Sequence, residues 1–494
     1  MKKRFLSWLL VLSMVISLIP STLVTALAAD LPSAQASGQA GKTTVELTND
    51  WPSDMNADIT DLTVTNTITP SGTLTVESGK TLIVHGSGTL SGVGRSEGTP
   101  FFIVKDGGHL VLDEVTVTEN SADAGTVVVE KGGLLDLGYN DQKDRIAPGI
   151  TNNTTAANAA KNLVIADGAT VRLNAETTKV IGLSYYAQET PSAPISLLQG
   201  GRYTLKETDM QKITADVPAT GKTGNTLTLL YDQVLMRGYS KVLVWSPTDF
   251  TTTNIGIAGT NYILQYLSDS GFQEVTKKYD CSLLDGAIGD LKQYDMIVIL
   301  FPVGWDPAIV DAEGEIAALK SYLDSGGRIY FQCENVSETF AIANQKASQM
   351  AKMLGAGFEI KDTPAIVVAK LNINATISDI MTGMEKSRWM VGDASPIVPA
   401  ENINIKYKSL AYVTLEGKNY DIIVEQQAGS GEEKWGSLLV VSDINLFYGN
   451  GPVHGPNVNT AKIFFSNLYK NTMEIRYKAA AGYNPNAKFV TQAT

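Results

Sequence analysis

Two cysteines and three histidines in 494 residues set the first limits on this chain. A disulfide framework is excluded, because two cysteines can close one bridge at most. Positive charge is scarce as well: 39 Lys and Arg stand against 51 Asp and Glu, for a formal net charge of -12. Nucleic acid is thereby excluded as a partner, since binding it calls for clustered positive charge. After the first thirty residues no apolar run is long enough to span a bilayer, so the mature chain is expected to have no membrane span. Without covalent staples the fold must rest on packed apolar side chains, and a composition of 44% hydrophobic residues supplies them.

What is present begins with a leader. "MKKRF" is a basic head, "LSWLLVLSMVISLIP" an apolar stretch, and "TALAAD" offers small residues for cleavage near Ala28 or Ala29. Residues 1–29 therefore read as a signal peptide and residues 30–44 as a linker, and the protein is expected to be secreted or held at the cell surface. Loss of Lys2, Lys3 and Arg4 makes the mature chain more acidic still, which favours solubility.

Residues 45–235 are rich in Thr, Val, Leu and Gly and repeat a phrase: "TLTVESGKTLIV", "FFIVKDGGHLVL", "TVVVEKGGLLDL", "NLVIADGATVRL" and a looser "ISLLQGGRYTL". In each copy an apolar residue lies three before a glycine and another three after it, as in Val76/Gly79/Leu82 and Val104/Gly107/Leu110. Alternating flanks read as strands, and the glycine allows a tight turn between them. The glycines Gly79, Gly107, Gly132, Gly168 and Gly200 recur at 25 to 36 residues, which suits five or six coils of a parallel β-helix that bury their apolar side by stacking. This half resembles the right-handed β-helix segments of exported bacterial surface proteins. Asp141 and Asp144 in "YNDQKDR" form the best carboxylate cluster for a metal or for acid/base chemistry, with a polar loop as the alternative reading. His85 and His109 have no motif around them and read as structural. No cofactor or metal motif is identified.

From residue 236 to 475 the pattern changes to apolar strands alternating with helices: "KVLVW", "QEVTKKY", "YDMIVILFP", "RIYFQ" and "SLLVVSD", with helices at "TNYILQYLSDSG", "AEGEIAALKSYLDSGG", "FAIANQKASQMAKMLGAG" and "NTAKIFFSNLY", the last capped by Asn459. Continuous apolar strands joined by helices imply a parallel sheet covered on both faces, a doubly wound α/β unit of flavodoxin-like or amidotransferase-like kind. A hairpin turns at Glu416-Gly417, and residues 476–494 read as a C-terminal tail. The "YLDSGGRIYF" helix-to-strand passage and the "VVSDINLF" strand end resemble the class I glutamine amidotransferase-like fold, in particular its non-catalytic branches.

Ligands of open α/β sheets sit beyond the carboxyl ends of the strands. The expected cleft is therefore lined by Ser246, Thr248 and Asp249, by Pro302, Gly304 and Trp305, by Glu334 and Asn335, and by Asn445. Within the resemblance, Cys333 would stand where the enzymes carry a nucleophile, with His454 as its base and Asp443 as a distant acidic partner. Phe331 and Asn335, however, occupy positions two before and two after the cysteine, where a strained elbow needs small residues. Pro456 stands where the family's acid follows the histidine. Trp245 and Trp305 admit either a sugar platform or core packing. A disulfide between Cys281 and Cys333 is disfavoured, because their strands would not be neighbours. Three functions stay open: a non-catalytic domain binding a glycan or other ligand at the cell surface, a cysteine-dependent hydrolase or amidotransferase, and a structural module that contacts a cell-surface protein.

Overall fold

Glycine-centred turns organise the first half. In the computed structural model, which describes residues 42–52, 58–96, 98–139, 146–185, 194–216, 226–237, 240–246, 254–279, 281–301, 313–334, 338–401, 403–429, 435–447, 457–481 and 490–492, four repeats are strand, turn, strand. The strand pairs are Leu74–Val76 with Thr81–His85, Phe102–Val104 with His109–Asp113, Val127–Val129 with Leu134–Leu137, and Leu163–Ile165 with Thr170–Leu173. Gly79, Gly107, Gly132 and Gly168 turn between them at φ of 72° to 78°, each in the left-handed region that a side chain disfavours. The turns also stack. Gly79 donates its N–H to the Gly107 carbonyl at 2.9 Å, Gly107 to Gly132 at 3.1 Å, and Gly132 to Gly168 at 3.0 Å. Gly200 departs from the pattern: it ends the strand Ile195–Gly200, so the fifth copy is extended where a turn was expected.

The strands before the turns pair in parallel as one column, with Val76 beside Val104, Val104 beside Val129 and Val129 beside Ile165. The strands after the turns form a second column, with Leu82, Leu110, Leu135 and Val171 in register. A third parallel column runs through Thr89–Ser91, Thr116–Thr118, Gly149–Thr151 and Ile181–Tyr185. Inward residues of all three columns share one apolar core. Outward polar residues are paired between strands. His85 meets Asp61 at 2.9 Å, and His109 meets Asp136 at 2.8 Å, where Arg172 donates through both Nε and Nη2. Burial pushes the Asp136 carboxyl up, but the hydrogen bonds from His109 and Arg172 outweigh it and hold the group below its ordinary range. Backbone N–H groups at one buried edge are taken up by a side-chain ladder: Asn120 donates to Asn153 Oδ1, Asn153 to Asn162 Oδ1, and Asn162 to Asp216 Oδ2.

The second half contains a sheet in the order Glu274–Tyr279, Lys241–Ser246, Met296–Leu300, Arg328–Gln332, Gly436–Val441, all parallel, with Lys418–Ala428 antiparallel beyond. Taken by position in the chain, the five parallel strands run second, first, third, fourth, fifth, the flavodoxin-like order. Each continuous apolar run splits between two faces. Val242, Val244, Val298 and Tyr330 join helices α1 (Asn254–Ser270) and α4 (Asn457–Ala481) in one core; Leu243, Trp245, Ile299 and Phe331 join α2 (Glu313–Asp324) and α3 (Glu338–Met353) in another. The final helix starts at Asn457, two residues before the expected cap, because the Asn457 side chain brackets Met390, accepting from its N–H at 3.0 Å and donating to its carbonyl at 2.9 Å. It also continues past residue 476, where Arg476 and Tyr477 are buried, and the strand Val490–Gln492 pairs with Thr226–Leu230. Leu230 and Leu235 belong to the same apolar core as α1 and α4, so the packing crosses the expected boundary at 236.

Arg328 is fully buried at the amino end of the fourth strand. Its Nη2 donates to Glu425 Oε1 at 2.7 Å and to Asn471 Oδ1 at 2.5 Å, and Nη1 to Thr472 at 3.2 Å, joining two strands to α4. Replacing Arg328 by Met strands Glu425 in the interior and is expected to cost about 3–5 kcal/mol, whereas adding Glu425→Leu recovers most of that loss. Urea unfolding of the single and double variants measures both. In the first half, Gly79→Ala meets open space and is expected to cost only the backbone term of about 1–2 kcal/mol. Gly108→Ala places its Cβ on the Val76 carbonyl oxygen and is expected to cost more in the same experiment.

Candidate functional site

The carboxyl ends of the parallel strands bring together some of the residues expected to line a cleft. Ser246 closes the first strand, Cys333 and Glu334 follow the fourth, Asp443 follows the fifth, and Asn445 lies on the short helical turn Ile444–Phe447. Ser246 and Asp443 have no exposed surface, and Cys333 and Glu334 keep 1% and 4%. Thr248, Asp249, Pro302, Gly304, Trp305, Asn335 and His454 lie outside the described residues, as do Asp141 and Asp144.

A short antiparallel pair, Ile366–Lys370 and Met390–Ala394, covers these strand ends. Gly392 donates its N–H to Asp443 Oδ2 at 2.7 Å, and a Cβ on Gly392 would come within 2.8 Å of the Asn445 side chain, so only glycine allows this approach. Ser395 Oγ donates to the Glu334 carbonyl at 2.8 Å. Asn344 on α3 donates to Ser395 Oγ at 2.8 Å and to the Glu334 carbonyl at 2.9 Å. Trp389, with no exposed surface, donates its indole N–H to the Leu446 carbonyl at 2.9 Å. Among the described residues, Gly392, Ser395 and Asn344 close on Asp443 and on the Glu334 carbonyl, and Trp389 packs against Phe447 and Phe464.

Cys333 continues the strand: its N–H donates to the Val441 carbonyl at 2.8 Å, as in a ladder. It is absent from the positive-φ positions, so the backbone makes no strained elbow there. Its sulfur sits in the apolar core with Phe331 and Ala347. Burial, with a smaller contribution from Glu334, pushes the thiol far above its ordinary range, so it is neutral at physiological pH. A neutral, enclosed thiol lacks the thiolate that nucleophilic attack requires. No disulfide joins Cys281 and Cys333. Trp245 is buried and donates its indole N–H to the Cys281 carbonyl at 2.9 Å, which leaves no ring face for a sugar.

Asp443 accepts from Gly392 N–H and, at 2.7 Å, from Asn445 N–H. Burial raises its carboxyl to about 7; the two backbone hydrogen bonds oppose that shift, and the charge of Asp393 adds to it. Sequence reasoning missed Gly392, Ser395, Asn344 and Trp389, which carry no motif. Elsewhere, a recess of about 300 Å³ opens in the first half beside the Gly168 turn, lined by Asp167, Tyr185, Ile195 and Ser196 among others. Burial and the charge of Asp167 raise the Tyr185 phenol.

No family model matches this chain, and no curated protein matches it. Several solved structures are similar over about half of it. A ThuA-like protein from Parabacteroides merdae is 11% identical, with 50% of this chain and 92% of that one covered and a TM-score of 0.32. The cytoplasmic protein STM1381 from Salmonella typhimurium is 16% identical, covering 47% and 99%, with a TM-score of 0.31. The cold-adapted β-galactosidase from Rahnella sp. R3 is 14% identical, covering 48% of this chain and 32% of its own, with a TM-score of 0.29.

A folded-state pKa raised above the ordinary carboxyl value means that Asp443 binds its proton more tightly in the folded chain. Its contribution to stability is full below about pH 4 and is lost as pH rises through about 7. Asp443→Asn is expected to flatten the fall in melting temperature between pH 5 and pH 8; equal slopes in the two proteins would contradict the assignment.

Proposed function

We propose that this chain is an exported, non-catalytic binding protein, in which a right-handed β-helix is followed by an amidotransferase-like α/β domain whose strand-end cleft is sealed. The observation that carries this reading is the enclosure of Cys333, Glu334 and Asp443 by Gly392–Ser395 and Asn344. Among the described residues Cys333 is enclosed, and burial keeps its thiol protonated. The three stacked columns with their shared core support the β-helix, because such coils bury apolar surface only against one another. Export rests on the leader at residues 1–29.

The ligand class we propose is a glycan, in keeping with a protein of the cell surface. With the strand ends closed, its seat is the recess beside Gly168, where Tyr185 offers an aromatic side chain and the exposed Asp167 an acceptor for hydroxyl groups. A glycan array probed with the mature chain is expected to give binding that Tyr185→Ala and Asp167→Ala each weaken at least tenfold. A blank array would replace the glycan with a protein partner. In the native protein a thiol-alkylating reagent at pH 7.5 is expected to modify Cys281, which is partly exposed, and to leave Cys333 intact until denaturant is added. Rapid labelling of Cys333, abolished by His454→Ala, would restore the enzyme reading.

A further inference from the structure

The strand Thr226–Leu230 stands at an unusual place for its composition. One edge pairs with Gln233–Arg237; the other carries, among the described residues, Val490–Gln492, with Leu227 opposite Gln492, Thr228 opposite Thr491 and Leu229 opposite Val490. Both of its faces are covered. Leu227 and Leu229 lie in the first-half core, and Leu230 lies in the core shared with α1 and α4. Leu227, Thr228 and Leu230 have no exposed surface, and Leu229 has 6%. A strand buried on both faces belongs inside a sheet, and sheet edges are normally blunted by charge, proline or a bulge. "TLTLL" has none of these. On that side its protection, among the described residues, is the three-residue strand Val490–Gln492.

We propose that Val490–Gln492 is an edge guard, and that its removal turns Thr226–Leu230 into a pairing surface for the same strand of a second copy. The edge already accepts an antiparallel strand, so the geometry for one is present. Two identical strands paired antiparallel are related by a two-fold axis, which makes the contact self-complementary and closed at the dimer. Centred pairing places Thr228 of one copy opposite Thr228 of the other.

The test removes residues 488–494 in a Cys281→Ser background and follows mass by light scattering during size-exclusion chromatography. The full-length chain is expected to elute as a monomer and the shortened one as a dimer. Adding Thr228→Cys to the shortened chain is expected to yield a disulfide-linked dimer on oxidation, since directly opposed residues of neighbouring strands bring their Cβ atoms into bonding range. Full-length Thr491→Pro, which deletes a backbone donor from the guard, provides the same readout should the shortened chain fail to fold. A folded monomer in both variants overturns the proposal, as does association that never cross-links through position 228.

Discussion

Enclosure of the carboxyl ends of the fourth and fifth strands is the constraint from which the rest of the α/β half follows. A polar group removed from water must find a partner inside the protein, at a cost of a few kcal/mol if it does not. Glu334 and Asp443 lie in that position, and their neighbours are chosen to suit. Gly392 and Asn445 supply backbone donors to the Asp443 carboxylate, while Ser395 and Asn344 close on the Glu334 carbonyl. The approach is close enough to require glycine at 392. Trp389 packs against Phe447 and Phe464 and satisfies its own N–H on Leu446. Beside these contacts the Cys333 thiol packs as a small apolar side chain.

The opposite, amino-terminal side of the same sheet is held by a different device. Helix α4 lays Ala461, Phe464, Phe465 and Leu468 on the sheet and carries Asn471, Thr472 and Arg476 to its lower edge. There Arg328 and Glu425 form a pair away from solvent, with Ser378 and Ser437 also donating to the carboxylate. Arg476 donates to the carbonyls of Ser325 and Lys292, so one helix ties two further segments. Polar side chains thus bind both ends of the sheet, and apolar packing fills its two faces.

Much of this architecture is legible in the amino-acid order, for local reasons. Glycine three residues from an apolar position on either side marks a left-handed turn, and four of the five copies make one. Runs such as "MIVIL" can only be strands covered twice, and they are. The contacts that close the site are not legible, because they join residues far apart in the chain: Gly392 with Asp443, Asn344 with Ser395, Trp389 with Leu446. No spacing rule connects them. Gly200 misled for the opposite reason, since a glycine near an apolar pattern also suits a strand that approaches another backbone closely. Phe331, two residues before Cys333, departs from the small-residue elbow pattern, and the backbone at Cys333 continues the strand; the covering pair of strands had no signature of its own.

The stacked turns of the first half have one more consequence. Gly79 passes its hydrogen bond to Gly107, Gly107 to Gly132 and Gly132 to Gly168, so each layer offers upward the same surface that it receives from below. Successive turns are therefore held by one repeated backbone contact at the strand-to-strand spacing of about 4.8 Å, whatever the length of the loops between them.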